Sequence, residues 1–168
     1  ATAMHITESE SGSDLTRIST TAEPRPDGKY SLCGSKIFIT GGHHTLTKNI
    51  IHLVLARIKG APEGSQGLSL FLVPGFHVDE KGRCGEKNDI ICTGIEEKMG
   101  LHASPTCSMS LGSRYECLGT LLGEKNKGLY AMFSMMNDAR LLVGSQGHAS
   151  ASSSFLLALN YAKTRVQG

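Results

Sequence analysis

Over its first three quarters the chain places apolar residues in short runs broken by turn residues; beyond that the period lengthens. "KIFIT" (36–40), "IIHLVLARI" (50–58), "LSLFLVP" (68–74), "CSMSL" (107–111) and "ECLGTLLG" (116–123) have the length and the β-branched or aliphatic content of strands. "ISTTAEP", "RPDGK" and "YSLCG" (18–34) predict a hairpin, with Asp27-Gly28 suited to a tight turn. "KGAPEGSQG" (59–67) is a loop by its glycine, proline and serine content. "GFHVDEKGRCGEKNDI" (75–90) is a longer polar excursion of a kind that more often serves function than mere connection. Many short strands with no helix between them predict a barrel or a sandwich over residues 1–123.

From about Asn126 the spacing becomes helical. Leu129, Met132, Phe133 and Met136 share one face; Phe155, Leu159, Ala162 and Val166 share another. Between them "GSQGHASASSS" (144–154) has the composition of a flexible linker. The alternative is a continuous helix whose small side chains admit a close neighbour. A single amphipathic helix needs something to cover its apolar face. Residues 124–168 therefore read as the start of a truncated helical domain, the chain as a piece of a longer protein, and Phe155, Leu159 and Val166 as a candidate interface.

Composition restricts the function classes. The 168 residues are 39% hydrophobic and 19% charged with net charge +2, a soluble globular profile. Charges alternate in sign, as in "GEKNKG", with no basic block for a nucleic acid. No apolar run approaches the roughly 20 residues that span a bilayer. Five cysteines, odd in number and without C-x-x-C spacing, predict reduced, mostly buried thiols in a cytoplasmic setting. The seven histidines lack metal-ligand spacing, and neither a P-loop nor a G-x-S-x-G elbow occurs.

Two stretches carry candidate chemistry. In "ITESESGSDL" (6–15) the hydroxyls of Thr7, Ser11 and Ser13, with the local backbone N–H groups, suit an anion such as a pyrophosphate. They equally suit a polar turn in which Ser13 or Asp14 caps a short helical turn. Glu8 and Glu10 are expected to be solvated. In "KIFITGG" (36–42), Phe38 and Thr40 are two apart and face the same side of a strand. A flat ring beside a hydroxyl could receive a planar heteroaromatic group; an ordinary core Phe and strand-end Thr have the same spacing. Arg140, in "NDAR", could hold a phosphate or carboxylate, or close an ion pair.

In order along the chain, "ITESESGSDL", "DGKYSLCGSKIFITGG", "IIHLVLARI", "GLSLFLVP", "EEKMGLHASPTCSMSL", "LLGEKNKGLYAMFSMMNDAR" and "ALNYAKTRVQG" resemble the acyl-CoA dehydrogenase family over almost the whole length. "HTLTKNIIHLVLAR" and "CGEKNDIICTGIEEKMG" look most like the bacterial subgroup that includes 3-(methylthio)propanoyl-CoA dehydrogenases. The resemblance implies a mainly β fold, the antiparallel β-barrel of the family's middle domain, followed by the first helices of an incomplete helical bundle. It turns residues 144–154 from linker into tightly packed helix.

By the same resemblance the cofactor is FAD, and Met4, Ile6, Thr7, Gly12, Ser13, Phe38, Ile39 and Thr40 fall on cofactor-binding positions. Phe38 stands where many members place a tryptophan against the isoalloxazine, and Thr40 where a hydroxyl bonds the flavin near N5. Ser13 and Arg140 fall on positions near the acyl-CoA substrate. An electron-transfer flavoprotein is the implied acceptor and a homo-oligomer the implied assembly. The resemblance implies a catalytic glutamate that most members carry well beyond residue 168 and a minority just before the arginine matched by Arg140. That position is Ala139, with Asp138 one step off, so the base is expected to be absent and the chain alone inactive. An oxidase or alkylation-response relative on the same fold, and a non-catalytic β-barrel interaction module, are the competing readings.

Overall fold

A computed structural model describes all of residues 1–168. Ten strands precede one helix. The strands are β1 (Thr2–His5), β2 (Thr21–Pro24), β3 (Tyr30–Thr40), β4 (Ile51–Ile58), β5 (Leu68–Pro74), β6 (Phe76–Val78), β7 (Cys84–Lys87), β8 (Ile90–Ile95), β9 (Thr106–Leu111) and β10 (Cys117–Leu122). The expected hairpin joins β2 to β3, turning at Gly28 (φ +79°), where Arg25 N–H donates to the Lys29 carbonyl at 2.9 Å. "YSLCG" and "KIFIT" fuse into one eleven-residue strand. β8 was not foreseen, and the polar excursion after residue 74 holds the small β6–β7 hairpin.

The barrel is a closed ring. β3 pairs with β10, β10 with β5 and β5 with β4, all antiparallel. β2 then bridges the gap, antiparallel to β3 and parallel to β4 through Thr21↔Arg57 and Ala22↔Ile58. β1 also runs parallel to β4. One closing pairing, β2 with β4, is thus parallel in a barrel expected to be antiparallel throughout, because β2 must serve β3 and β4 at once. β9 and β8 extend the sheet from the far half of β3. Closure leaves few exposed strand edges.

Inward positions alternate with outward ones and fill one core: Ala22, Tyr30, Leu32, Ile39, Val54, Ala56, Phe71, Val73, Cys107, Met109, Leu111 and Cys117 are all buried. Tyr30 and Phe71 meet at 5.0 Å between ring centroids. Two buried polar residues fasten the rim: Asn88 donates to the carbonyls of Pro74 and Leu118, and Asp89 accepts from the N–H groups of Arg114 and Tyr115. The cysteines depart from expectation. Only Cys107 and Cys117 are buried; Cys33 is exposed on an outward position of β3, Cys84 is exposed on β7, whose four residues all face solvent, and Cys92 is intermediate.

The chain divides into two compact units, residues 1–131 and 132–168. The helix α1 runs without interruption from Gly128 to Thr164. It includes residues 144–154, as the family resemblance implied and composition did not, and it is one helix rather than several. Phe155, Leu156, Leu157 and Tyr161 are exposed on it; Val166 lies beyond its end. This helix is not long and apolar enough to cross a membrane.

Gly112 and Gly123 both adopt positive φ, +65° and +78°, in the turns flanking β10. A Cβ on Gly112 would lie 2.4 Å from the Leu32 carbonyl oxygen, whereas one on Gly123 would meet nothing within 4 Å. Gly123→Ala is expected to cost about 1 kcal/mol from the left-handed backbone alone. Gly112→Ala adds the steric clash and should cost about 3 kcal/mol. Urea denaturation of the two variants measures the difference.

Candidate functional site

The site is built on a buried ion pair whose lysine, Lys36, is in phase with the inward Tyr30 and Leu32 of β3. Lys36 points into the barrel and is fully buried. Its Nζ donates to Glu8 Oε1 at 2.9 Å and to the Ile6 carbonyl at 3.0 Å. Glu8, expected to be solvated, is 5% exposed and accepts four further hydrogen bonds, from the N–H and hydroxyl of both Ser19 and Thr20. The polar turn is drawn inward because a buried ammonium must be paired. Burial by itself would raise the Glu8 carboxyl; the Lys36 ammonium and the Ser19 and Thr20 hydroxyls outweigh it and hold Glu8 at about 2. Lys36 moves down as well, because burial outweighs the attraction of its one carboxylate.

This knot places residues 6–13 along β3. Ile37 N–H donates to the Thr7 carbonyl at 3.0 Å. Glu8 and Ser11 exchange backbone hydrogen bonds of 3.0 and 3.1 Å, folding the segment back on itself. The Ser11 hydroxyl is consumed internally, donating to the Asp14 carbonyl at 2.6 Å. Asp14 rather than Ser13 caps the short turn Leu15–Arg17, accepting from Thr16 N–H at 3.0 Å. That leaves Ser13 exposed, and open space where a Cβ on Gly12 would stand.

Immediately after Lys36 the β3–β9 register slips: Lys36 faces Met109 and Ile39 faces Cys107, so β3 carries one extra residue there. Phe38 sits in the bulge at φ +59°, a conformation that bulky residues avoid. It is 57% exposed. Thr40 is also exposed, while Ile39 between them is in the core. Phe38 and Thr40 therefore share one side, as their spacing predicted, and that side is the outside, which spacing left open; Ile39 can offer only its backbone.

The described geometry brings Ile6, Thr7, Phe38, Ile39 and Thr40 together, with Gly12 and Ser13 on the same folded segment. Met4 lies on the outward side of β1, opposite the buried Ala3 and His5. Arg140 lies on α1, within the second compact unit. Its Nη1 donates to Asn137 Oδ1 at 2.6 Å and its guanidinium stands over Phe133, so it makes no ion pair. Asp138 and Arg140 are both exposed. Sequence reasoning missed Glu8 and Lys36 as a unit, and it missed the buried pair His5–His52. No cluster of three or more metal-ligating side chains is present.

Residues 3–113 match the family model described as acyl-CoA dehydrogenase, middle domain. The chain is 48% identical to the 3-methylmercaptopropionyl-CoA dehydrogenase of Ruegeria pomeroyi over 98% of its own length and 27% of that protein. Among solved structures, the acyl-CoA dehydrogenase of Bacillus anthracis complexed with FAD matches 98% of the chain with a TM-score of 0.73 at 28% identity, and 25% of that protein is covered. The Caenorhabditis elegans ACDH-11 complex with C11-CoA matches 81% with a TM-score of 0.65 at 29% identity, covering 22% of that protein. The chain belongs to the acyl-CoA dehydrogenase family, and it spans about a quarter of the length of these relatives.

Removing one partner of the buried pair should be severe. Lys36→Met is expected to cost about 3 kcal/mol, and Lys36→Met with Glu8→Gln less than the sum of the single changes. The pH dependence has a definite sign. Glu8 is depressed in the folded chain, so its contribution is complete above its ordinary value of 4.5 and is lost as pH falls toward about 2. Denaturation midpoints between pH 2 and 6 should fall with pH in the wild type and fall less steeply in the double variant, where the depressed Asp14, Asp79 and Asp89 still contribute.

Proposed function

We propose that this chain is the flavin- and thioester-binding part of an FAD-dependent acyl-CoA dehydrogenase acting by α,β-dehydrogenation of an acyl-CoA. The observation that carries the reading is Phe38. A bulky residue held at φ +59°, with its ring outside the core, costs stability and contributes nothing to the barrel's interior. Such strain is found where a side chain must be aimed at a ligand.

The residues fit the cofactor. Phe38 offers an apolar face to a planar ring system, and the Thr40 hydroxyl, one strand repeat away, offers a hydrogen bond at its edge. Open space at Gly12 admits the close approach of a phosphate-bearing chain, and the Ser13 hydroxyl has no internal partner. Met4, Ile6 and Thr7 supply the adjoining wall, and Ile39 a backbone contact. Bound FAD supplies the hydride acceptor. The forked donors of Arg140 suit an anionic part of the acyl-CoA. An electron-transfer flavoprotein serves as acceptor, and a homo-oligomer in the cytoplasm is the setting that the exposed helix residues and the free thiols support.

On this reading the proton-abstracting base is supplied from outside this chain. A carboxylate that works near neutrality needs its pKa raised, but Glu8, Asp14, Asp79 and Asp89 are all shifted downward. Ala139 occupies the position next to Arg140, and Asp138 is exposed.

Phe38→Gly separates ligand binding from folding, because glycine accepts the positive φ. In the full-length protein it should leave the apoprotein's melting temperature unchanged or higher while weakening FAD binding about tenfold. Unchanged flavin affinity would sink the assignment. Anaerobic addition of an acyl-CoA series to the full-length protein should bleach the flavin absorbance with at least one thioester, whereas the 168-residue chain alone should show no acyl-CoA-dependent reduction of an acceptor dye.

A further inference from the structure

A cleft of about 100 Å3 opens between the loop after β3 and the β6–β7 hairpin. Gly42, His43, His44, Lys48, His52 and Lys87 are among its lining residues, and no carboxylate is. Neither Lys48 nor Lys87 is engaged in a salt bridge elsewhere. The loop is held in place: Asn49 donates to the Phe76 carbonyl at 2.8 Å and accepts from Phe76 N–H at 2.9 Å. His44 Nδ1 accepts from Leu46 N–H at 3.2 Å, which puts the proton of the neutral ring on Nε2.

The floor is stranger. His52 is 2% exposed, and its Nδ1 lies 2.8 Å from Nε2 of the fully buried His5 on β1. His5 Nδ1 is buried with no partner. An orphan N–H is less tolerable there than a bare acceptor, so the shared proton belongs on His5 Nε2 and donates to His52 Nδ1. His52 then carries its own proton on Nε2, and it lines the cleft with that donor unpartnered by any protein group. Burial, with a smaller contribution from His43, holds His52 down to about 4; His5 is also pushed down, by burial, by His52 and by Lys36.

We propose that this cleft binds a phosphate-class oxyanion, with His52 Nε2–H and the His43 and His44 rings as donors and Lys48 and Lys87 as the countercharge. The cleft, about 100 Å3 and open to solvent on one side, has room for a phosphoryl or sulfate group. Beside the apolar Ile50, Phe76, Ile90 and Met109, the charged and titratable side chains of the lining are donors and cations with no competing carboxylate, as an oxyanion requires. The site shares no residue with the flavin-binding positions, although His5 lies between Met4 and Ile6, so an anion on His52 is felt one residue from that wall.

Ring resonances of the histidines, followed by nuclear magnetic resonance in the full chain, test the site. Sulfate, whose charge is constant across the range, should shift the His52, His43 and His44 signals saturably, bind more tightly as pH falls, and raise the titration of His52. The exposed double variant Lys48→Ala/Lys87→Ala should weaken binding about tenfold. His52→Gln should abolish the His5 response to sulfate. Inorganic phosphate and phenyl phosphate distinguish the sources: a tighter ester identifies the phosphorylated end of a larger molecule, equal affinities a free ion, and either supports the site. Shifts reproduced by sodium chloride at matched ionic strength, or wild-type affinity in the lysine variant, would overturn it.

Discussion

Burying an ammonium group inside a β-barrel is unfavourable by several kcal/mol unless its charge is matched and its protons are all directed at acceptors. Lys36 meets the first condition with Glu8 and part of the second with the Ile6 carbonyl. The order along the candidate site's rim follows from that requirement. A strongly polar stretch with no apolar residue between Thr7 and Asp14 would have little hold on a barrel. Here its one inward carboxylate is clasped by Lys36, Ser19 and Thr20, so that the chain on both sides is fixed to β3.

The same strand carries both the anchor and the strain. Lys36 faces in and Phe38 faces out only because the bulge inserts one residue and turns the backbone at Phe38 into the left-handed region. A regular strand would have placed Lys36, Phe38 and Thr40 on one face. The ion pair and the register on β9 at Ile39 hold either side of the bulge, so a local conformation that is unfavourable in isolation persists. Stability in the barrel and exposure at the rim are thus one arrangement of five residues.

Much of this was legible. The hairpin at Asp27-Gly28, the strands of β4 and β5 and the placing of Phe38 and Thr40 on one side follow from periodicity and turn chemistry alone. Glu8 was misread because a run of Glu and Ser scores as solvated on composition; its partner sits 28 residues away, and only the spacing of Lys36 in phase with Tyr30 and Leu32 hinted at it. Residues 144–154 were misread by composition for a related reason: glycine and serine lower helix propensity without forbidding a helix, and the family resemblance rather than local preference indicated the helix. His5 and His52 were invisible, since parallel pairing of β1 with β4 joins residues 47 apart. The bulge itself leaves no sequence mark, because Phe38 gives no sign of a positive φ.

The manner of closure governs when the barrel can exist. β3 and β5 both wait for β10, the last strand of the ring, and β3 is the second of its five members to be made. During synthesis the β2–β3 and β4–β5 hairpins can form as soon as they emerge, but the ring stays open until residue 122 is available. Its nascent form presents two unpaired strand edges for most of its translation, a period in which such edges invite wrong partners. Only after that last strand does the ribosome deliver the helix, so the barrel has its full complement of strands before the apolar residues of α1 appear.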